Sequence, residues 1–244
     1  MQYKVKFFHF LLTIMIAVIS TDSFVSADDF NNLLALIDAE VPCVLILSGK
    51  NATKVIPRIK GFIPHADLLL NTLMQGGGFS NPEEVGEAIK SFTILFYDGT
   101  SKKPSISLKK KGILIETGKK WDAIYSKAFE GSRQIKKIKG IPVYKAGDNE
   151  LFLKIKNGKF LYLYEYEEIG ERFAEVYTGK RKSLVEVSSI NTFLKNQTPN
   201  AFFLLFPAFD SFFWGDLRGD KLILGGNINL LLLNIDNPAL NEVK

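Results

Sequence analysis

LFLKIKNGKFLYLYEY, residues 151–166, reads as two strands folded around a turn. Asn157-Gly158 suits a two-residue type I′ turn, which needs a positive φ at both central positions. Folding the strands across that pair sets Ile155 beside Phe160, Leu153 beside Tyr162 and Leu151 beside Tyr164. The same register places Phe152 opposite Leu163 on the other face, which also carries Lys154 and Lys156. One face is therefore apolar and aromatic, and the other is mixed. Pairs of branched and aromatic side chains reinforce such a ladder by roughly 0.2–1 kcal/mol each. A hairpin alone is marginal in water, so this one requires further strands or a helix behind it.

The flanking sequence supplies both. Downstream, 167–177 spaces Ile169, Phe173, Val176 and Tyr177 as one face of a helix, and Gly179 closes it. Residues 184–187 read as a short strand, 189–195 as a small helix and 201–206 as a strand. A last hairpin of 222–224 and 227–235 is expected around Gly225-Gly226, with Arg218-Gly219-Asp220 as an earlier turn. Upstream, 138–144 reads as one extended segment and 121–129 as a helix. Strands are expected at 41–47, 92–97, 105–108 and 113–116, and helices at 30–39, 66–74 and after Asn81-Pro82. Gly76-Gly77-Gly78 stops a helix; it lacks the lysine and hydroxyl continuation of a phosphate loop.

Strands joined mostly by tight turns predict an α+β fold with largely antiparallel or mixed sheets and short interleaved helices. The order of elements echoes between 28–132 and 133–235, so two similar α+β lobes are expected, followed by a polar tail, 236–244.

Residues 1–27 have the layout of a secretory signal peptide. Lys4 and Lys6 precede an apolar run over 7–19, and Val25-Ser26-Ala27 offers the small residues of a cleavage site. The expected location is periplasmic or extracellular, with a peripherally membrane-associated form open to it. Cys43 is the single cysteine, which excludes an intramolecular disulfide and reads as a buried small hydrophobe. With 46% apolar residues the fold can rely on its core.

Catalytic residue types are scarce. His65 is the only histidine after residue 27, and neither HExxH nor GxSxG occurs. No metal site, no cofactor and no catalytic residues are therefore assigned. An envelope hydrolase is the enzymatic alternative and would need His65 to meet a serine or carboxylate across a cleft.

Two segments are candidates for binding. Residues 101–139 carry twelve lysines or arginines against three acidic residues, a net charge of +9. Lys109, Lys110, Lys111, Lys119, Lys120, Lys136, Lys137 and Lys139 are the named candidates. Such a field attracts an anionic membrane surface, an envelope polymer or an acidic protein, and export argues against nucleic acid. The second segment, AFFLLFPAFDSFFWG at 201–215, holds six phenylalanines and a tryptophan. Its first half alternates as a strand covered on both sides. Phe209, Phe212, Phe213 and Trp214 are expected in a turn or short helix after Pro207, filling the core between lobes, lining a site for an apolar ligand such as lipid, or forming a partner surface.

Gly140-Ile141-Pro142-Val143-Tyr144, the KNGKFLYLY hairpin, a helix closed by Tyr177-Thr178-Gly179, and Ser183-Leu184 before a Phe193-Leu194 helix follow one another across 120–235. In this layout the chain resembles uncharacterised bacterial envelope proteins built from degenerate α+β units. That resemblance implies the fold and an envelope location, and carries no catalytic residues with it. The function expected is a non-enzymatic exported binding or structural protein of the cell envelope. The alternatives are the hydrolase and an apolar-ligand carrier that uses 201–214.

Overall fold

The computed structural model describes residues 27–48, 84, 88–100, 103–104, 110–118, 121–122, 131–146, 150–187, 190, 202–218 and 221–227. Ten strands form one antiparallel sheet. In chain order they are β1 (Cys43–Ser48), β2 (Ile89–Phe96), β5 (Lys111–Thr117), β6 (Arg133–Ile138), β7 (Ile141–Ala146), β8 (Glu150–Ile155), β9 (Phe160–Tyr164), β10 (Phe202–Phe206), β11 (Ser211–Arg218) and β12 (Lys221–Asn227). The short pair β3 (Gly99–Thr100) and β4 (Lys103–Pro104) stands apart. Across the sheet the order is β12-β11-β10-β1-β2-β5-β9-β8-β7-β6, and every neighbouring pair is antiparallel. The fold is α+β, as expected. Strands from 133–235 lie on both sides of those from 28–132, with β10 hydrogen-bonded to β1 and β9 to β5. The expected signal peptide, the helices expected at 66–74, after Asn81-Pro82 and at 189–195, the strand expected at 105–108 and the expected polar tail fall wholly or largely outside the described residues.

The hairpin of β8 and β9 has the register expected: Leu151 opposite Tyr164, Leu153 opposite Tyr162 and Ile155 opposite Phe160. Asn157 and Gly158 take φ of 58° and 85°, and Lys156 joins them at 49°. The Lys159 N–H donates to the Lys156 carbonyl at 3.1 Å, and the Gly158 N–H to that of Ile155 at 3.1 Å.

Paired residues share a face, so the registers sort the side chains. One face presents Val44 and Ile46, Leu95, Leu114, Tyr162 and Phe160, Leu153, Phe203 and Phe212. Two helices pack there: α1 (Ala27–Leu34) through Phe30, Leu33 and Leu34, and α2 (Glu167–Tyr177) through Ile169, Phe173 and Ala174. Phe173 stacks on Tyr162 with ring centroids 3.9 Å apart and planes 11° from parallel. The opposite face carries Cys43, Leu45, Phe92, Ile94, Phe96, Phe152, Leu161, Phe202 and Phe206, all buried. Central strands enclosed on both sides read in sequence as continuous apolar runs, which is how CVLIL and FFLLF appear.

Several elements differ from the sequence reading. The helix expected at 30–39 is α1, ending at Leu34, because Ile37 and Asp38 turn to bridge Ser183. The extended segment 138–144 is divided: β6 and β7 form a hairpin closed by Ile138 opposite Ile141. Its turn, Lys139-Gly140, has φ of 49° and 86°. Gly140 was the sequence signal, and a lysine in the left-handed region concealed it. Residues 184–187 form not a strand but a 3₁₀ turn, Leu184–Glu186, started by a capping box. There the Ser183 N–H donates to Glu186 Oε1 at 2.8 Å. α2 ends in a Schellman arrangement at Gly179, with the Lys180 N–H donating to the Glu175 carbonyl at 2.8 Å. Tyr177, expected on its buried face, is exposed.

The aromatic segment differs most. Pro207–Phe209 is a 3₁₀ turn, but Phe212, Phe213 and Trp214 belong to strand β11. Gly225 and Gly226 do not form a turn either. They continue β12, opposite Trp214 and Phe213, and a Cβ on Gly225 would lie 2.4 Å from the Trp214 ring. The glycines make room for aromatics on the neighbouring strand, so the chain passes straight through them. Arg218 of β11 is paired with Lys221 of β12, and Gly219 and Asp220 of the expected turn lie outside the described residues.

Candidate functional site

Charge in this chain is segregated in sequence and reunited by the fold. α2 and the residue pair before it supply Glu165, Glu167, Glu168 and Glu175. β5, β6 and their flanks supply the lysines. Lys110 pairs with Glu168 at 3.2 Å, Lys111 with Glu165 at 3.0 Å and Lys139 with Glu175 at 3.4 Å, and Lys136 pairs with Glu167. The carboxyl of Glu168 is held below its usual range by its own backbone N–H and by Lys110. That of Glu175 is held down chiefly by its hydrogen bond from Lys139. Four of the candidate lysines are thus committed to the acidic helix. Lys137 makes no ion pair among the described residues. Lys109, Lys119 and Lys120 lie outside the described residues.

Beyond this belt, Arg133, Lys137 and Lys145 make no ion pair among the described residues. Arg133 on β6 is paired directly opposite Lys145 on β7, so both project to one face. Like charges directly opposed destabilise a strand pair. Between Arg133 and Lys136 the ladder carries a bulge at Ile135, whose side chain is 43% exposed, the most of any large apolar residue described. The exposed edge therefore combines Arg133, Lys137 and Lys145 with one apolar side chain.

Beneath the belt lies a buried polar knot that the sequence reading passed over. Asp38, 1% exposed, accepts from Arg172 Nε at 2.9 Å and Nη2 at 2.6 Å, and from the Glu40 N–H at 2.9 Å. Arg181 stands 3.8 Å from the same carboxylate and also pairs with Glu40 at 2.6 Å and Glu175 at 3.4 Å. Arg172 lies over the Tyr97 ring, 5.4 Å from its centroid, and the Tyr97 and Tyr162 hydroxyls are 3.3 Å apart. The only signal in the sequence was an acid set in an apolar run, LLALIDAEV. Glu116 repeats the pattern in KGILIET: it is buried, receives the Ser91 hydroxyl at 3.2 Å and has Lys159 at 3.5 Å.

These tyrosines make the fold sensitive to alkali. Burial pushes Tyr97 up to about 12, and burial together with Glu167 does the same for Tyr164. Burial also raises Tyr162 well above 10. A group whose folded value is raised stabilises fully below its unfolded value, here 10.0, and loses that contribution as pH climbs towards 12. Unfolding followed by circular dichroism is therefore expected between pH 10 and 12, with late tyrosinate absorbance appearing in step. Smooth titration of every tyrosine near 10 with the fold intact would contradict this.

The candidate aromatics have distinct places. Phe212 is part of the helix-covered core with Trp214 packed against it, and Phe213 is buried on the opposite face, edge-on to Phe206. Phe209 ends the 3₁₀ turn, and its side chain lies outside the described residues. Cys43 is fully buried, which pushes its thiol well above the ordinary range and keeps it protonated. Among the described residues, no three His, Cys, Asp or Glu side chains are grouped to hold a metal. His65 lies outside them. A shallow depression of about 330 Å³ opens beside Tyr177, Lys180, Lys182 and Ser183, and Glu186 at its wall is engaged in the capping box.

Fold and site together define an α+β protein built on one wide antiparallel sheet, with an ion-paired helical layer and one strongly basic edge. No family model and no curated protein matches the chain. Among solved structures it shows a weak, partial resemblance to TP0453. Crystal form IV aligns with a TM-score of 0.41 at 10% identity over 78% of this chain and 77% of that one. Crystal form III gives 0.40 at 11% over 92% and 86%, and crystal form I gives 0.34 at 9% over 82% and 94%. At these scores the likeness carries no functional argument.

Proposed function

We propose that this is a non-enzymatic exported binding protein of the cell envelope, whose contact surface is the basic β6 edge and whose partner is an anionic membrane surface. The observation behind this reading is the opposition of Arg133 and Lys145 with no carboxylate paired to either among the described residues, close to a belt in which Lys110, Lys111, Lys136 and Lys139 each meet a glutamate. An anion placed against them relieves the repulsion that the strand pair otherwise carries. Exposed Ile135 beside the two cations favours lipid over a soluble polymer or acidic protein, because a headgroup layer offers apolar and anionic contacts together.

Flotation with vesicles tests the reading. The protein is expected to float with phosphatidylglycerol-rich vesicles, to stay behind with pure phosphatidylcholine, and to be released as salt rises. Reversing both charges, Arg133→Glu with Lys145→Glu, is expected to weaken binding by more than about tenfold, while thermal stability is kept. Equal binding to neutral vesicles, or no effect of the double reversal, would refute the proposal.

A further inference from the structure

The two edges of the sheet are built in opposite ways. β6 is guarded by a bulge and by Arg133, Lys136 and Lys137, the devices that keep sheet edges from pairing. β12 has none of these. Its register with β11 runs unbroken through seven pairs, from Phe212 opposite Asn227 to Arg218 opposite Lys221. Its sequence, KLILGGN, contains no proline and a single charge, and no described strand lies on its outer side.

We propose that β12 is a dimerisation edge, where a second copy of this chain pairs antiparallel about a two-fold axis at Leu224. The sequence is self-complementary in that register. Leu224 meets its own equivalent, Ile223 meets Gly225 of the second copy, Leu222 meets Gly226, and Lys221 meets Asn227. Leu222 and Ile223 then each lie opposite a glycine. The protein already uses this arrangement within the sheet, where Trp214 lies opposite Gly225 and Phe213 opposite Gly226. No like charges are opposed. Joining two β6 edges would instead crowd three cations from each copy along one seam. The two-fold contact closes on itself, giving a dimer with one continuous sheet and the basic edges at its two far ends.

Sedimentation velocity of the full chain over a range of concentrations reads the result. A monomer–dimer equilibrium is expected. Asn227→Lys sets Lys221 against a lysine at both ends of the seam and is expected to weaken the dimer about tenfold. Asn227 is exposed, so this change leaves the fold in place. Adding Lys221→Glu to Asn227→Lys turns both repulsions into attractions and is expected to restore the dimer. A chain that stays monomeric at every concentration overturns the proposal. So does a dimer that ignores Asn227→Lys, or one that the second substitution fails to restore.

Discussion

Asp38→Ala is expected to destabilise the protein by about 3 kcal/mol, read as a lower denaturation midpoint with an unchanged denaturant slope. The carboxylate is 1% exposed and gathers Arg172, Arg181 and the Glu40 N–H around it. Removing it leaves the two guanidiniums with only the exposed Glu40 carboxylate shared between them, 2.6 Å from Arg181 and 3.9 Å from Arg172. Breaking a buried pair typically costs about 3–5 kcal/mol. The lower end applies here because the Arg172 and Arg181 side chains are 31% and 27% exposed and water reaches both. Asp38 also ties the segment after α1 to α2 across 134 residues, so its loss loosens two layers together. Asp38→Asn keeps the acceptor and is expected to cost less. Glu40→Ala, at a side chain 71% exposed, is expected to change little. Equal effects of Asp38→Ala and Glu40→Ala would contradict the role given to the knot.

Phe173→Ala is expected to cost about 3–5 kcal/mol, through lost burial and the cavity left behind. Phe173 is 1% exposed and stacks at 3.9 Å on Tyr162, itself fully buried at the centre of β9. Its ring stacks α2 directly on the hairpin. Without it, Tyr162 loses a stacking partner and the helix a large buried anchor. Phe173→Leu fills part of the space and should recover a good share of the loss. A midpoint for Phe173→Ala within about 0.5 kcal/mol of the parent would show that α2 does not lie where it is placed. Since small domains are stable by only about 5–15 kcal/mol, either alanine variant removes a substantial fraction.

The hairpin at 151–164 was legible because local chemistry determines it. Asn157-Gly158 fixes the turn, the turn fixes the register, and the alternation of apolar residues agrees with both. α2 was legible for the same reason, with Ile169, Phe173 and Val176 at helical spacing and Gly179 at its end. Tyr177 was misplaced because an aromatic on the edge of an apolar stripe can point either way. The order of strands was not legible. Nothing near Cys43–Ser48 shows that β10, some 160 residues later, lies beside it, since both are uniform apolar runs with many acceptable neighbours. Gly225-Gly226 misled because glycine serves turns and close aromatic contacts equally, and only Trp214 across the ladder decides between them.

The binding candidates divided along the same line. Composition located the basic segment, but which lysines are neutralised depends on α2 coming to rest against β5, β6 and β9. Arg133 and Lys145 were missed as a pair because the turn at Lys139-Gly140 that opposes them was read as continuous strand. Asp38 and Glu116 announced themselves only as acids within apolar runs, a weak signal until their cations are seen.

Which cations face outward, and which edge is free to pair, both follow from the order of the ten strands. The most direct test of that order is the set of cross-strand nuclear Overhauser contacts made by β1. Backbone contacts are expected from Leu45 to Ile94 on one side and to Leu204 on the other. Contacts to Ile94 with none to Leu204, or β10 paired with any strand other than β1 and β11, would contradict the single sheet and the placement of both its edges.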